Sequence, residues 1–96
     1  MNRDIVDGRY LEVLVRQDCP RCEAGMSVVL QAAATMGVAV HTVDLASNPD
    51  LYREFAARAP VVRTPEETII GEGNLSTTRI TAALLQMTFA SQPEIH

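Results

Sequence analysis

Short apolar runs alternate along this chain with stretches whose apolar residues recur at helical spacing. Tyr10 to Arg16 (YLEVLVR) is a mostly apolar run rich in strand formers, suited to a strand covered on both faces. From Pro20 to Met36 the apolar positions fall at three- and four-residue steps, so Cys22, Met26, Val29, Ala33 and Met36 make one inward stripe of a helix. Pro20 suits its first turn, where the missing N–H is no loss, and Gly37 fits its C-terminal cap. Val38 to Leu45 (VAVHTVDL) predicts a second strand. Ser47-Asn48-Pro49-Asp50 then turns the chain into a short helix, Asp50 to Arg58, with Leu51 and Phe55 inward. In APVVRTPEETIIGEG, Val61 to Arg63 and Thr68 to Gly71 predict a hairpin about the turn Thr64-Pro65-Glu66-Glu67. A last helix begins at Ser76 as N-cap, with Leu75 and Ile80 placed as a hydrophobic staple. Ile80, Ala83, Leu84 and Met87 form its buried stripe.

The element order is β-α-β-α-β-β-α. The first two strands must be parallel, joined by a right-handed crossover, and the last two antiparallel. The expectation is an α/β fold, a mixed four-stranded sheet with helices on both faces. Residues 1–9 read as a flexible leader, 10–89 as one domain, and 90–96 as a frayed tail.

Composition narrows the functional classes. In 96 residues, 47% are hydrophobic, enough for one core without a disulfide scaffold. A net charge of −4 argues against nucleic acid as a partner, because phosphate binding needs clustered Lys and Arg. No apolar run approaches a membrane span, and MNRDIVDGRY lacks the apolar core of a secretory signal. The expected location is cytoplasmic, where structural disulfides are rare while reactive or metal-binding cysteines are not.

Candidate chemistry concentrates in LVRQDCPRCEAG, which holds both cysteines of the chain. Cys19-Pro20-Arg21-Cys22 sits where a strand gives way to a helix. Residues three apart there lie within the roughly 4.4–6.8 Å Cα separation that a disulfide tolerates. Cys19 falls at the cap, expected to be exposed and beside unpaired N–H groups that favour a thiolate and lower its pKa from about 8.5. Arg21 adds a charge of the same effect, and Asp18 opposes it. Cys22 opens the inward stripe and is expected to be the more buried and less ionised thiol. Cys19 would then attack a substrate disulfide and Cys22 resolve the mixed disulfide, with Pro20 stiffening the turn between them.

Two other readings of the pair stand beside this one. A closed zinc site wants four ligands, and the two cysteines are joined only by His41, mid-strand, and His96, the last residue. Alternatively the cysteines are inert parts of a core. Elsewhere, Asp44 reads as a turn-capping acid, His41 as a strand-face residue, Met26, Met36 and Met87 as core, and Glu66-Glu67 as a solvated turn.

With the strand–CxxC–helix context, the SNPD entry to the second helix and a proline opening the hairpin, residues 10–87 resemble the thioredoxin superfamily. The likeness is to its short glutaredoxin-like and small thioredoxin-like branch. The resemblance implies a thioredoxin-like (glutaredoxin-type) fold, with Pro60 of RAPVV as a cis-proline facing the cysteines and presenting backbone groups to substrate. Pro65, the rival, sits better in the hairpin turn. Ala59, Gly71, Glu72 and Gly73 would border the same docking surface, where an extended peptide could lie.

The chain also departs from the family pattern. Thioredoxins carry a buried relay acid six residues before the first cysteine, where Val13 stands, and a Trp before it, which this chain lacks altogether. Glutaredoxins have a Lys where Arg16 stands and an aromatic where Arg21 stands. Their Gly-Gly and following acids are only half matched by Gly71-Glu72-Gly73-Asn74. Arg16 and Arg21 are equally readable as partners for glutathione carboxylates or as solvated charges.

The expected function is thiol–disulfide exchange on protein disulfides, with electrons from a thioredoxin reductase or from glutathione as co-substrate. No bound cofactor or metal is required. The alternative is a thioredoxin-fold interaction or regulatory module with little catalysis, favoured by the missing relay acid and aromatic.

Overall fold

A computed structural model describes residues 10–90, with side chains to residue 86. The leader expected at 1–9 and the tail beyond residue 90 lie outside the described residues, as does the Met87 side chain. Seven principal elements follow the expected order: β1 (Tyr10–Val15), α1 (Pro20–Met36), β2 (Ala39–Asp44), α2 (Pro49–Phe55), β3 (Val61–Arg63), β4 (Ile69–Glu72) and α3 (Thr77–Ala90). The sheet order is β2-β1-β3-β4. β1 and β2 are parallel, with Val15 opposite Asp44, while β1–β3 and β3–β4 are antiparallel.

Most element ends shift by a residue or so, for identifiable reasons. β1 stops before Arg16 and β2 before Leu45, because Asp44 ends the strand by accepting the Ala46 N–H at 2.9 Å, opening a 3-10 turn over Leu45–Ser47. The second helix starts at Pro49 and is α-helical only to Phe55; Ala56–Arg58 tighten into a 3-10 turn. β4 runs one residue later than expected, with a register irregularity opposite Val62 and Arg63. Gly37 closes α1 at φ 69°, its N–H reaching Ala34 O at 3.3 Å and the Val38 N–H reaching Ala33 O at 2.9 Å. Ser76 Oγ accepts the Arg79 N–H at 3.2 Å, so the last helix has its expected cap.

Alternation along the strands gives each face of the sheet its own core. Leu11, Val13 and Val62 face α1 and α3, packing with Val29, Ala32, Ile80 and Leu84. Leu14 and Val61 face the opposite side, packing with Leu45, Phe55, Ala59, Cys19 and Cys22. α2 is too short to cover that second face, and a cross-strand ion pair lies there: Arg63 Nε donates to Glu12 Oε1 at 2.8 Å, with side-chain exposures of only 11% and 24%. The Phe55 ring centroid lies 6.0 Å from the Arg63 guanidinium.

The inward stripe of α1 differs from the expected one. Gly25 and Ala32 are buried, whereas Met26 and Met36 are only half-buried at the margin of the first core. A Cβ on Gly25 would stand 2.8 Å from Pro60 Cγ and 3.0 Å from Leu75 Cδ1. An alanine in mid-helix would gain about 1 kcal/mol of helix propensity, so this glycine trades helix stability for close approach.

Two outcomes are expected. Gly25→Ala should lower stability by roughly 1–2 kcal/mol in urea denaturation despite the better propensity, because the proline ring cannot yield as a flexible chain would; an unchanged or higher midpoint would show that the contact is not tight. Glu12→Ala should cost about 2 kcal/mol by stranding the Arg63 charge, while the double variant Glu12→Leu with Arg63→Met should recover most of it. Equal losses in the single and double variants would contradict the ion-pair account.

Candidate active site

The junction between β1 and α1 is built by backbone geometry before any chemistry. Asp18 takes a left-handed conformation, φ 51°, which Asp tolerates better than most residues. That bend delivers Cys19 in an extended conformation at the N-cap of α1. Pro20, as first helical residue, has no N–H to satisfy. Cys19 Sγ accepts the Cys22 N–H at 3.1 Å, and Cys19 O accepts the N–H groups of Cys22 at 2.9 Å and Glu23 at 3.1 Å. The two cysteines are joined as a disulfide, with Cα atoms 5.2 Å apart.

Burial corrects one expectation. Cys19 is not exposed: it and Cys22 are equally buried, each 4% accessible. The reason is the second core, in which Leu14, Leu45, Phe55, Ala59 and Val61 pack with both cysteines. Hydrogen bonding, not exposure, distinguishes the pair. Cys19 Sγ receives a helix N–H, and among the described residues no such bond reaches Cys22 Sγ. A donated N–H favours the thiolate form of the sulfur that accepts it.

Across from the cysteines lies the Ala59–Pro60 turn. Its peptide bond is cis, as the resemblance implied, and both residues are fully buried. Three contacts hold the turn. From α1, the Pro60 ring rests against Gly25. From the same helix, Arg21 Nη2 donates to Ala59 O at 2.9 Å and more weakly to Ala57 O at 3.4 Å. From the other side, the Gly73 N–H is shared between Arg58 O at 3.1 Å and Pro60 O at 3.0 Å. Gly73 has φ 72° with open space where a Cβ would be, so its requirement is conformational.

The structure thus brings Cys19, Pro20, Arg21, Cys22, Ala59, Pro60 and Gly73 together, but gives several of them other tasks than those expected. Arg21 is exposed, yet its guanidinium is not free, since Nη2 donates to the backbone carbonyls of Ala59 and, more weakly, Ala57. Glu72 is paired with Arg58, whose Nη2 lies 2.8 Å from Oε1 and whose guanidinium stands 4.9 Å from the Phe55 ring centroid. Gly71 faces inward, within 3.1 Å of Leu75 and 3.2 Å of Ile80 at its would-be Cβ, and so serves packing. Arg16 is half-buried, with its Nε enclosed and, among the described residues, without a hydrogen-bond partner. Val13, at the relay-acid position, is fully buried in the first core.

Gly25 and Arg58 were not singled out by the sequence, and Leu75, expected only as a staple to Ile80, also packs near Gly25 and Gly71. A lone glycine inside a helical pattern was the available signal for the first. Elsewhere, His41 is exposed on edge strand β2 and stacks on Tyr10 at 4.5 Å. Among the described residues no group of three or more His, Cys, Asp or Glu could hold a metal, and no helix is long and apolar enough to cross a membrane.

Solved structures share this architecture. Protein XcR50 from X. campestris is 25% identical, covering 79% of this chain and 96% of its own, with a TM-score of 0.69. Protein Ne2328 from Nitrosomonas europaea is 22% identical over 79% of this chain and 91% of its own, TM-score 0.67. Thioredoxin 1 from Thermosipho africanus is 17% identical over 86% and 98%, TM-score 0.64. The last two show likeness of fold alone. No match was found among curated proteins. A family model, the glutaredoxin-like domain (DUF836), matches residues 10–89, which carry the cysteine pair and nearly the whole fold. This chain belongs to that glutaredoxin-like family.

Proposed function

We propose that this protein is a thiol–disulfide oxidoreductase acting on protein disulfides through Cys19 and Cys22. The observation that carries the reading is the hydrogen bond from the Cys22 N–H to Cys19 Sγ, at a helix N-terminus facing the Ala59–Pro60 turn. In the dithiol form, the Cys19 thiolate attacks one sulfur of a substrate disulfide. The new S–S bond forms as the old one breaks, and the departing substrate sulfur leaves as a thiolate that takes up a proton. The Cys22 thiolate then attacks Cys19 Sγ, closing the intramolecular disulfide and releasing the second substrate thiol. Two electrons and two protons pass to the substrate, and no bound cofactor is needed.

Turnover requires a dithiol reductase of the thioredoxin-reductase kind, or two molecules of glutathione oxidised to their disulfide. A cytoplasmic setting, where such donors keep thiols reduced, suits this direction. Protein disulfides are favoured over glutathione disulfide as the species reduced. Arg21 and Glu72, the charged residues nearest to hand for a tripeptide's ends, are already engaged with Ala59 O and Arg58.

A second reading is a thioredoxin-fold interaction module. Two observations favour it: Val13 stands in place of a relay acid, and both cysteines are nearly inaccessible in the disulfide form.

The two readings part on one pair of variants. Cys22→Ser should accumulate a covalent mixed disulfide with one chain of disulfide-bonded insulin or with another protein disulfide, visible by mass. Cys19→Ser should form none and lose insulin reduction by at least about a hundred-fold, since no attacking thiolate remains at the helix end. In the reduced parent protein, Cys19 should alkylate faster than Cys22 below neutral pH. Undiminished insulin reduction by Cys19→Ser, or no activity in the parent under a full range of redox buffers, would leave the interaction module as the better account.

A further inference from the structure

We propose that Arg21 is a positioning residue that holds the substrate-docking edge in register with the sulfurs, and that it acts through backbone carbonyls, not through its charge. The inference rests on the oxidoreductase reading for its kinetic consequence, though its structural consequence stands independently.

Arg21 lies between the two cysteines, in the first turn of α1, and is itself exposed. Its guanidinium leaves that turn to reach residues 36 and 38 positions away, donating to Ala57 O and Ala59 O. The choice of acceptor matters. The peptide joining Ala59 to Pro60 has no N–H, so its carbonyl is the one hydrogen-bonding handle on that peptide plane. By gripping it at 2.9 Å, Arg21 fixes the plane relative to the helix that carries both cysteines.

Ala59 is fully buried, and its backbone is extended, φ −60° and ψ 147°, preceding β3 without being part of a strand. It packs in the same cluster as Cys19 and Cys22, so this turn is part of what encloses the sulfurs. A protein segment bringing a disulfide to Cys19 has to pass the rim that this turn supports. A small displacement of the rim would misalign attacking and leaving sulfurs, an arrangement to which exchange is sensitive. The Gly73 N–H and the Pro60–Gly25 contact support the turn from other directions, so loss of Arg21 should loosen it without unfolding it.

A charge role and a positioning role predict different things. If Arg21 acts by its positive charge on the Cys19 thiolate, Arg21→Lys should behave like the parent, and all disulfides should suffer alike in Arg21→Met. If it acts by holding the carbonyls, Lys, whose ammonium ends a shorter stem, does not bring a donor to where Arg21 Nη2 stands. Substrates lacking a backbone to dock should then be indifferent.

The experiment compares parent, Arg21→Met and Arg21→Lys, each first shown to be folded by its thermal melt. Insulin serves as the protein disulfide and bis(2-hydroxyethyl) disulfide as the undocked one. The expected result is a KM for insulin raised about ten-fold in both variants, with kcat and small-disulfide kcat/KM within about two-fold of the parent. The Cys19 alkylation profile against pH should be unchanged in Arg21→Lys. In hydrogen exchange of the oxidised proteins, the Gly73 and Val61 amides should exchange about ten-fold faster in Arg21→Met. A parental insulin KM in Arg21→Lys, parallel losses on both substrates, or unchanged exchange at those amides would overturn the proposal. A parent protein inactive on both disulfides would instead defeat the oxidoreductase reading, and hydrogen exchange would still decide the role of Arg21.

Discussion

One hydrogen bond organises this molecule's chemistry: the Cys22 N–H donates to the sulfur of Cys19, the residue that caps the helix. N-caps are ordinarily Ser, Thr, Asp or Asn, whose oxygens satisfy a helix donor. Here a sulfur does so, and the group that stabilises the start of α1 is also one of the two atoms joined in the disulfide. The helix end and the reactive atom are therefore not separable. The left-handed Asp18 before the cap and Pro20 after it are the local means by which the chain reaches that arrangement.

Around this junction the structure is held by contacts between segments far apart in sequence. The Ala59–Pro60 turn rests on a glycine in α1, is gripped by an arginine from the same helix and accepts an amide from the loop after β4. Gly25 is there for lack of bulk, Arg21 for reach and Gly73 for its backbone conformation. The opposite face of the sheet carries the larger aliphatic core, including Val13 where a thioredoxin has its relay acid.

Much of this was legible from the chain. Strand and helix periods located every principal element, and Gly37, Ser76 and Asp44 signalled their caps by residue type alone. The CxxC placed both sulfurs, and the hairpin proline placed the turn that faces them. What escaped depended on distance through space. Nothing near Arg21 in sequence announces carbonyls 36 and 38 residues away, so its charge was visible and its geometry was not. Cys19 looked exposed because cap positions usually are; Phe55 and Leu45, brought in by the crossover after β2, bury it. Gly25 was passed over because periodicity counts apolar bulk, and its contribution is the absence of bulk.

Strand direction carries a last consequence. β1 and β2 run parallel and finish level with each other, and β3 starts where they finish, so the sulfurs and the Pro60 turn share one pole of the sheet. The hairpin apex at Pro65-Glu66-Glu67 and the helix-ending Gly37 fall at the other pole. The disulfide and the cis-proline turn are thereby confined to a single rim. Chain spliced in at the hairpin apex, whether a label or a whole second domain, would hang from the far end of the sheet and leave the sulfurs' surroundings untouched.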